Sequence, residues 1–207
     1  MNKSQLDRWS GDFGKDYTLR NMERNYNSER LDIMQKLFQD VYNATKGDVH
    51  RVLEIGCNTG HNFFAMAPFG PLEMVGIDPQ VDALRIAKER GVTATLLVGS
   101  VFNIPFFSGY FDLVMTNGVL MHVSPEDLPS ALMEIKRVSS KYFFTLDYFD
   151  ATETVVTGYH GHDDLLWRRD IRVPVKQVMP NARVLWEKKV SQDERTGKFT
   201  WAFLFEI

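Results

Sequence analysis

Residues 51–62 read RVLEIGCNTGHN, and the fold turns on how this stretch is read. RVLEIG (51–56) is short, apolar and closed by a glycine, the pattern of a buried strand. HNFFAMA (61–67) follows as a short helix that Pro68 and Gly70 end. Between the two, Gly56 and Gly60 let the backbone turn tightly and approach a bound group that a Cβ would obstruct. A dinucleotide loop of the form G-x-G-x-x-G would need glycines at 56, 58 and 61, and the chain has Gly56, Asn58 and His61. The match fails twice. Asn58 still suits a tight turn, because asparagine is among the residues that most readily take left-handed backbone angles after glycine.

The same alternation runs outward in both directions. Upstream, Leu31, Met34, Leu37, Phe38 and Val41 fall at helical spacing from Ser28, with Gly47 as a stop. Downstream, EMVGID (73–78) reads as a strand, and Val81, Leu84 and Ala87 line one face of a helix closed by Gly91. TATLLVG (93–99) and FDLVMTN (111–117) are further strands. SPEDLPSALMEIKRVSS predicts a helix with Ser124 as N-cap and Pro125 at its first position, and KYFFTLD (141–147) a fifth strand. Strands alternating with helices mean a parallel sheet with right-handed crossovers. The end differs: RVLWEKKV (183–190) and KFTWAFLFE (198–206), joined by SQDERTG, predict an antiparallel hairpin at the sheet edge.

Composition sets the outer bounds. The chain has 207 residues, 44% hydrophobic and 25% charged, enough for one substantial α/β domain. Lys plus Arg number 24 against 27 Asp plus Glu, a net charge of −3, so there is no basic excess to grip a phosphate backbone and nucleic acid is not an expected partner. Cys57 is the single cysteine, so an intrachain disulfide is impossible. No apolar segment approaches the roughly 20 residues of a membrane span, and the first residues lack a signal-peptide run. A cytoplasmic protein, not bound to a membrane, is the expectation.

In an open α/β sheet, ligands bind beyond the carboxyl ends of the strands at the switch point. Glu54, Gly56 and Gly60 fall there. Asp78 ends the second strand, where a carboxylate can accept hydrogen bonds from both hydroxyls of a ribose. Ser100 and Val101 follow the third strand, and Asn117 and Gly118 end the fourth. Counted as acid-x-G-x-x-x-G, residues 54–60 resemble the first motif of class I S-adenosylmethionine (SAM)-dependent methyltransferases. That resemblance implies a Rossmann-like fold with a seven-stranded, mostly parallel sheet, helices on both faces and a C-terminal antiparallel hairpin. It implies Glu54 facing the methionine ammonium of SAM, and Ser100 near the adenine amino group. The adjoining Cys57, Asn58, Asn62 and Pro79 complete the implied cofactor contacts, with S-adenosylhomocysteine as product.

The chain also resembles the pseudaminic acid biosynthesis-associated methylases, from about residue 9 to about 205. The resemblance is carried by Trp9, Gly11, Phe13, Gly14, Tyr17, Arg20 and Asn21, by GVLMHVSPEDLP (118–129) and by YHGHDDLLWRRD (159–170). His160 stands where that family tends to have arginine, and DYF (147–149) where an acid and two tyrosines are common. The resemblance implies one domain over 1–207, with 1–46 a helical lid and 47–207 the core. It implies a carbohydrate or sugar-nucleotide acceptor in bacterial surface-polysaccharide (nonulosonate) biosynthesis, and no metal. Within the lid, Arg20 is expected to pair with the methionine carboxylate and Tyr17 to cover the site.

Methyl transfer from SAM needs an aligned acceptor and a group to take its proton. Histidine titrates in the right range, which makes His122, His160 and His162 the candidate bases, His122 and His162 ahead, with Asp163 as a partner for His162. Tyr148, Tyr159, His160 and His162 form the expected substrate wall. A methyltransferase for another metabolite, an NAD(P)-dependent oxidoreductase and a non-catalytic SAM-binding protein are the alternatives.

Overall fold

The apolar runs assemble into one seven-stranded sheet whose two faces are covered by helices. The computed structural model describes residues 3–25, 28–193 and 198–207. The tip of the SQDERTG loop (194–197) lies outside the described residues.

In chain order the elements begin with helices α1 (Lys3–Ser10), α2 (Asp12–Asn25) and α3 (Ser28–Ala44). Strand β1 (Arg51–Ile55), helix α4 (His61–Met66), β2 (Glu73–Asp78), α5 (Val81–Glu89), β3 (Thr95–Val98) and β4 (Phe111–Asn117) follow. Then come α6 (Leu128–Val138), β5 (Ser139–Phe149), the short strands β6 (Thr154–Val155) and β7 (Trp167–Arg168), α7 (Arg172–Val178), β8 (Arg183–Asp193) and β9 (Lys198–Glu206).

The sheet order is β3-β2-β1-β4-β5-β9-β8. The first five strands pair in parallel, and β9 pairs antiparallel with both β5 and β8. This is the expected Rossmann-like methyltransferase arrangement. It departs from a dehydrogenase sheet of six parallel strands, because the chain reaches β9 through a hairpin. The order reverses between β1 and β4, so a crevice opens at the carboxyl end of β1.

Side-chain alternation splits the core into two layers. Leu53, Ile55, Val75, Ile77, Val114 and Phe203 face α6 and α7, while Val52, Leu113, Met115, Phe144 and Leu204 face α3, α4 and α5. Buried on both sides, the central strands read as continuous apolar runs.

Two helix readings need correction. Val81 is 63% exposed, and α5 buries Ala83, Leu84 and Ala87 instead. Helix α6 starts at Leu128 rather than after Ser124, with Asp127 in the N-cap position. Residues 124–127 form a separate turn in which Ser124 Oγ accepts the Asp127 N–H at 3.2 Å. Pro129 explains the break, since it has no N–H to bond back to residue 125 and fits only a first helical turn.

Gly76, in the middle of β2, sits directly behind the loop that follows β1. A Cβ there would lie 2.7 Å from Cys57 Sγ and 2.9 Å from the Phe63 ring. Gly76→Ala is therefore expected to cost about 1–3 kcal/mol of stability through overpacking, read as a lower urea midpoint at unchanged slope.

Candidate active site

The crevice at the end of β1 is a pocket of about 1150 Å³ including its open mouth. Its base is the turn 55–62, its sides are the ends of β2, β3 and β4, and α1, α2 and α3 contribute Trp9, Tyr17 and Arg30. The turn is held by backbone bonds: the N–H groups of Gly56 and Cys57 both donate to the Ile77 carbonyl, at 2.8 and 3.1 Å. Gly56 and Gly60 adopt φ of 70° and 75°. A Cβ at either would press on valine methyls, those of Val119 at 2.5 Å and Val92 at 2.7 Å.

Asn58 does take the left-handed conformation, with φ 45°. Its side chain has further work. Oδ1 accepts the Thr59 N–H at 2.9 Å, and Nδ2 donates to Thr18 Oγ1 of α2 at 2.9 Å. A glycine at this position could make the turn but not the tie to α2.

Two buried carboxylates define the electrostatics. Glu54, 1% exposed, accepts a hydrogen bond from Asn62 Nδ2 on Oε1 at 2.5 Å, while its Oε2 has no partner. Asn117 Nδ2 in turn donates to Asn62 Oδ1 at 3.4 Å, so two amides steady one side of the carboxyl. Burial pushes the Glu54 pKa up to about 8, and the nearby Asp78 charge adds to the rise. Asp78, 6% exposed, accepts the backbone N–H groups of Asn58 and Gln80, each at 2.8 Å. Burial lifts its pKa to about 6 against these two bonds. Asp78 thus fastens the turn after β1 to the end of β2, and its carboxylate keeps lone pairs for a ligand hydroxyl. An unpartnered carboxylate oxygen beside a second carboxylate fits a ligand that carries both a cation and a diol, as SAM does.

Most of the expected cofactor contacts converge here. Tyr17, Glu54, Gly56, Cys57, Asn58, Asn62, Asp78, Pro79, Ser100, Val101, Asn117 and Gly118 all line the pocket. Gly60 shapes the turn without lining it. Burial raises the Cys57 thiol well above its ordinary range, as suits a residue whose backbone matters more than its sulfur.

Arg20 is the exception. It is exposed and does not line the pocket. Gly14, Tyr17 and Thr18 set the inner face of α2, and at about 100° per residue Arg20 projects more than a quarter turn away from it. The guanidinium in the pocket belongs to Arg30 of α3, and His61 at the start of α4 lines the pocket beside it. Burial, with the Arg30 charge, lowers His61 to about 4. No motif pointed to Arg30, although its place just ahead of the apolar face of α3 was visible.

Helices α1 and α2 dock over the pocket through many contacts. Trp9 packs edge-on against Phe13 and Tyr17, at 5.1 and 5.2 Å between ring centroids. Gln80 Nε2 donates to the Gly11 carbonyl at 2.6 Å, Gln5 Nε2 to the Asp164 carbonyl at 2.7 Å, and Arg8 pairs with the Asp164 carboxylate at 2.7 Å. Gly14 lets Trp9 and Gln80 come close, since its Cβ would fall 2.0 Å from the Trp9 carbonyl oxygen.

The candidate acceptor residues divide into three groups. His122 is buried in the pocket wall between Trp9 and Tyr159, at 4.7 and 5.6 Å between centroids, and burial holds its imidazole down to about 4. His162 and His160 do not line the pocket; their rings meet Phe13 at 5.6 and 6.3 Å. Asp163 does not serve His162: its carboxylate accepts the Gly158 N–H at 2.7 Å, closing the loop on itself. Tyr148 lies in a neighbouring recess with Asp147, Arg169 and Trp201. Among the described residues no group of three or more His, Cys, Asp or Glu could hold a metal ion, and no helix is long and apolar enough to cross a membrane.

Comparison with known proteins agrees with this geometry. Residues 52–141 match the family model described as a methyltransferase domain. An uncharacterized methyltransferase of Schizosaccharomyces pombe is 28% identical over 175 residues, covering 75% of this chain and 62% of that protein. The chain spans less than two thirds of the length of the curated relatives it matches. Among solved structures, the PH0226 protein from Pyrococcus horikoshii OT3 superposes with a TM-score of 0.67 at 18% identity, over 88% of this chain and 92% of that one. A Burkholderia thailandensis 1,6-didemethyltoxoflavin-N1-methyltransferase, solved with its acceptor and S-adenosylhomocysteine, gives 0.66 at 14% identity, over 95% and 90%. At these identities the structural likenesses speak to fold.

The raised Glu54 makes a stability prediction. The folded state keeps a proton that the unfolded chain releases near 4.5, so the ligand-free protein loses stability as pH rises from 4.5 to about 8. Glu54→Gln removes that loss. Its melting temperature is expected above wild type at about pH 8.5 and close to it at about pH 5, checked by thermal unfolding at both.

Proposed function

We propose that this chain is a class I SAM-dependent methyltransferase that transfers the methyl group of SAM to a small-molecule acceptor. The observation that carries the proposal is the pairing of Glu54, with one carboxylate oxygen unpartnered, and Asp78 at the ends of adjacent strands. Glu54 would hold the methionine ammonium and Asp78 the ribose hydroxyls. Arg30, rather than Arg20, would meet the methionine carboxylate, and Ser100 and Val101 would border the adenine. When bound, SAM supplies an activated methyl group. The protein's own tasks are to orient the acceptor, exclude water and accept a proton. Helices α1 and α2, with Trp9 and Tyr17, serve as the cover over this site.

The proposed acceptor is a sugar or sugar nucleotide of bacterial surface-polysaccharide (nonulosonate) biosynthesis, handled in the cytoplasm. Support comes from the resemblance of the 9–21 and 159–170 blocks, which face each other here through Phe13–His160 and Phe13–His162. The rings of Trp9 and Tyr17, which line the pocket, suit the apolar face of a sugar ring. An NAD(P) oxidoreductase loses ground on the turn sequence and on the antiparallel β9.

Isothermal titration is expected to give a SAM dissociation constant in the micromolar range, with binding free energy of about −8 kcal/mol. Asp78→Ala is expected to weaken binding about tenfold or more, through both the lost diol contact and the released turn. No measurable affinity for SAM or S-adenosylhomocysteine would refute the reading.

A further inference from the structure

Trp9 and His122 each bury a nitrogen that has no hydrogen-bond partner, Nε1 of the indole and Nε2 of the imidazole. Their rings touch, with centroids 4.7 Å apart and planes tilted by 55°, and both line the pocket. The tautomer of His122 is fixed from outside. Its Nδ1 lies 2.6 Å from the Leu165 carbonyl oxygen, which can only accept. Nδ1 therefore carries the hydrogen, and Nε2 presents a lone pair. Trp9 Nε1 can only donate. One buried donor without an acceptor stands beside one buried acceptor without a donor, in a class of groups that folded proteins almost always satisfy.

We propose that Trp9 and His122 together cradle the hydroxyl group that receives the methyl, so that the acceptor is an alcohol and the reaction an O-methylation. The inference rests on the methyltransferase reading above. A hydroxyl accepts through its oxygen and donates through its hydrogen, and so meets both nitrogens at once. An alkylammonium has no lone pair for Trp9, and a carboxylate has no hydrogen for His122. Tyr159, whose ring lies 5.6 Å from that of His122, packs against the imidazole. His160 and His162 lie against Phe13 and take no part in the cradle.

The chemistry balances with these groups. The hydroxyl oxygen forms the new bond to the methyl carbon as the carbon–sulfur bond breaks, its electron pair returning to sulfur. The hydroxyl proton passes to His122 Nε2 and then to solvent. A sulfonium and an alcohol become a thioether, an ether and a proton. His122 is the proton acceptor, and Trp9 fixes the oxygen so that a lone pair stays free for the methyl. A sequence motif could not have shown this pairing, because the two residues are more than a hundred positions apart and come together only when α1 docks.

The test uses the whole 207-residue chain, ¹⁵N-labelled, with and without S-adenosylhomocysteine, titrated with cyclohexanol, cyclohexylamine and cyclohexanecarboxylate. These probes share a ring and differ in the polar group. The expected result is a His122 Nδ1–H tautomer, with the Trp9 indole N–H and His122 Nε2 resonances shifting together for the alcohol alone. Trp9→Phe is expected to weaken alcohol binding about fivefold or more while the His122 Nδ1–H tautomer, set by the Leu165 carbonyl, is kept. An Nε2–H tautomer, a response to the amine or the carboxylate in place of the alcohol, or no response to any probe would overturn the assignment. Calorimetry on the same samples separates the two failures. Absent S-adenosylhomocysteine binding sinks the methyltransferase reading, and intact binding with no alcohol response sinks only the hydroxyl cradle.

Discussion

The site depends on one constraint: Glu54 carries a carboxyl group into the end of the central strand, where burial leaves half of it unpartnered. An ionised carboxylate in such a place is costly, and the group answers by holding its proton up to about 8. The neighbouring structure limits the cost without removing it. Asn62 and Asn117 steady one oxygen through a chain of amides, and Asp78 spends its own bonds on the turn rather than on Glu54. Above about pH 5 the ligand-free molecule is therefore less stable than it would be with glutamine at 54, and a cation bound at Oε2 would recover the deficit.

A second theme is how the amino-terminal helices are recruited. Asn58 answers two needs at once, a left-handed turn and a hydrogen bond to Thr18. Gln80, next to Asp78, reaches Gly11. Both strand ends that would hold the cofactor therefore also hold the cover. Occupancy of the turn and docking of α1 and α2 share the same residues, and α1 is what brings Trp9 against His122. The proposed cofactor and acceptor sites would meet through these few bonds.

The fold was largely legible because central strands buried on both faces leave an unambiguous apolar signal, and the hairpin at 183–206 fixed the sheet type. The misses have local causes. Val81 matched the helical period but lies at the first turn of α5, beyond the edge of the layer. Ser124 matched a capping pattern, and Pro129 moved the helix start past it. The two-residue strands β6 and β7 and the seven-residue helix α7 are too short to show periodicity. In the pocket, the residues next to the glycine turns could be named from sequence, since the turn itself dictates which of them line it. Arg30 in place of Arg20, and the separation of His122 from the 159–162 loop, depended on how helices α2 and α3 rotate against the core. A single sequence does not encode that rotation in any local pattern.

The central claim is that Glu54 gives up its proton to receive the ammonium of SAM. Calorimetric titration of SAM in buffers of differing ionisation enthalpy, near pH 6.5–7, measures this directly, because the buffer dependence of the heat counts protons exchanged. The account predicts release of about one proton per SAM bound, most of it abolished in Glu54→Gln. Binding with no net proton release, or with release unchanged in that variant, would contradict it.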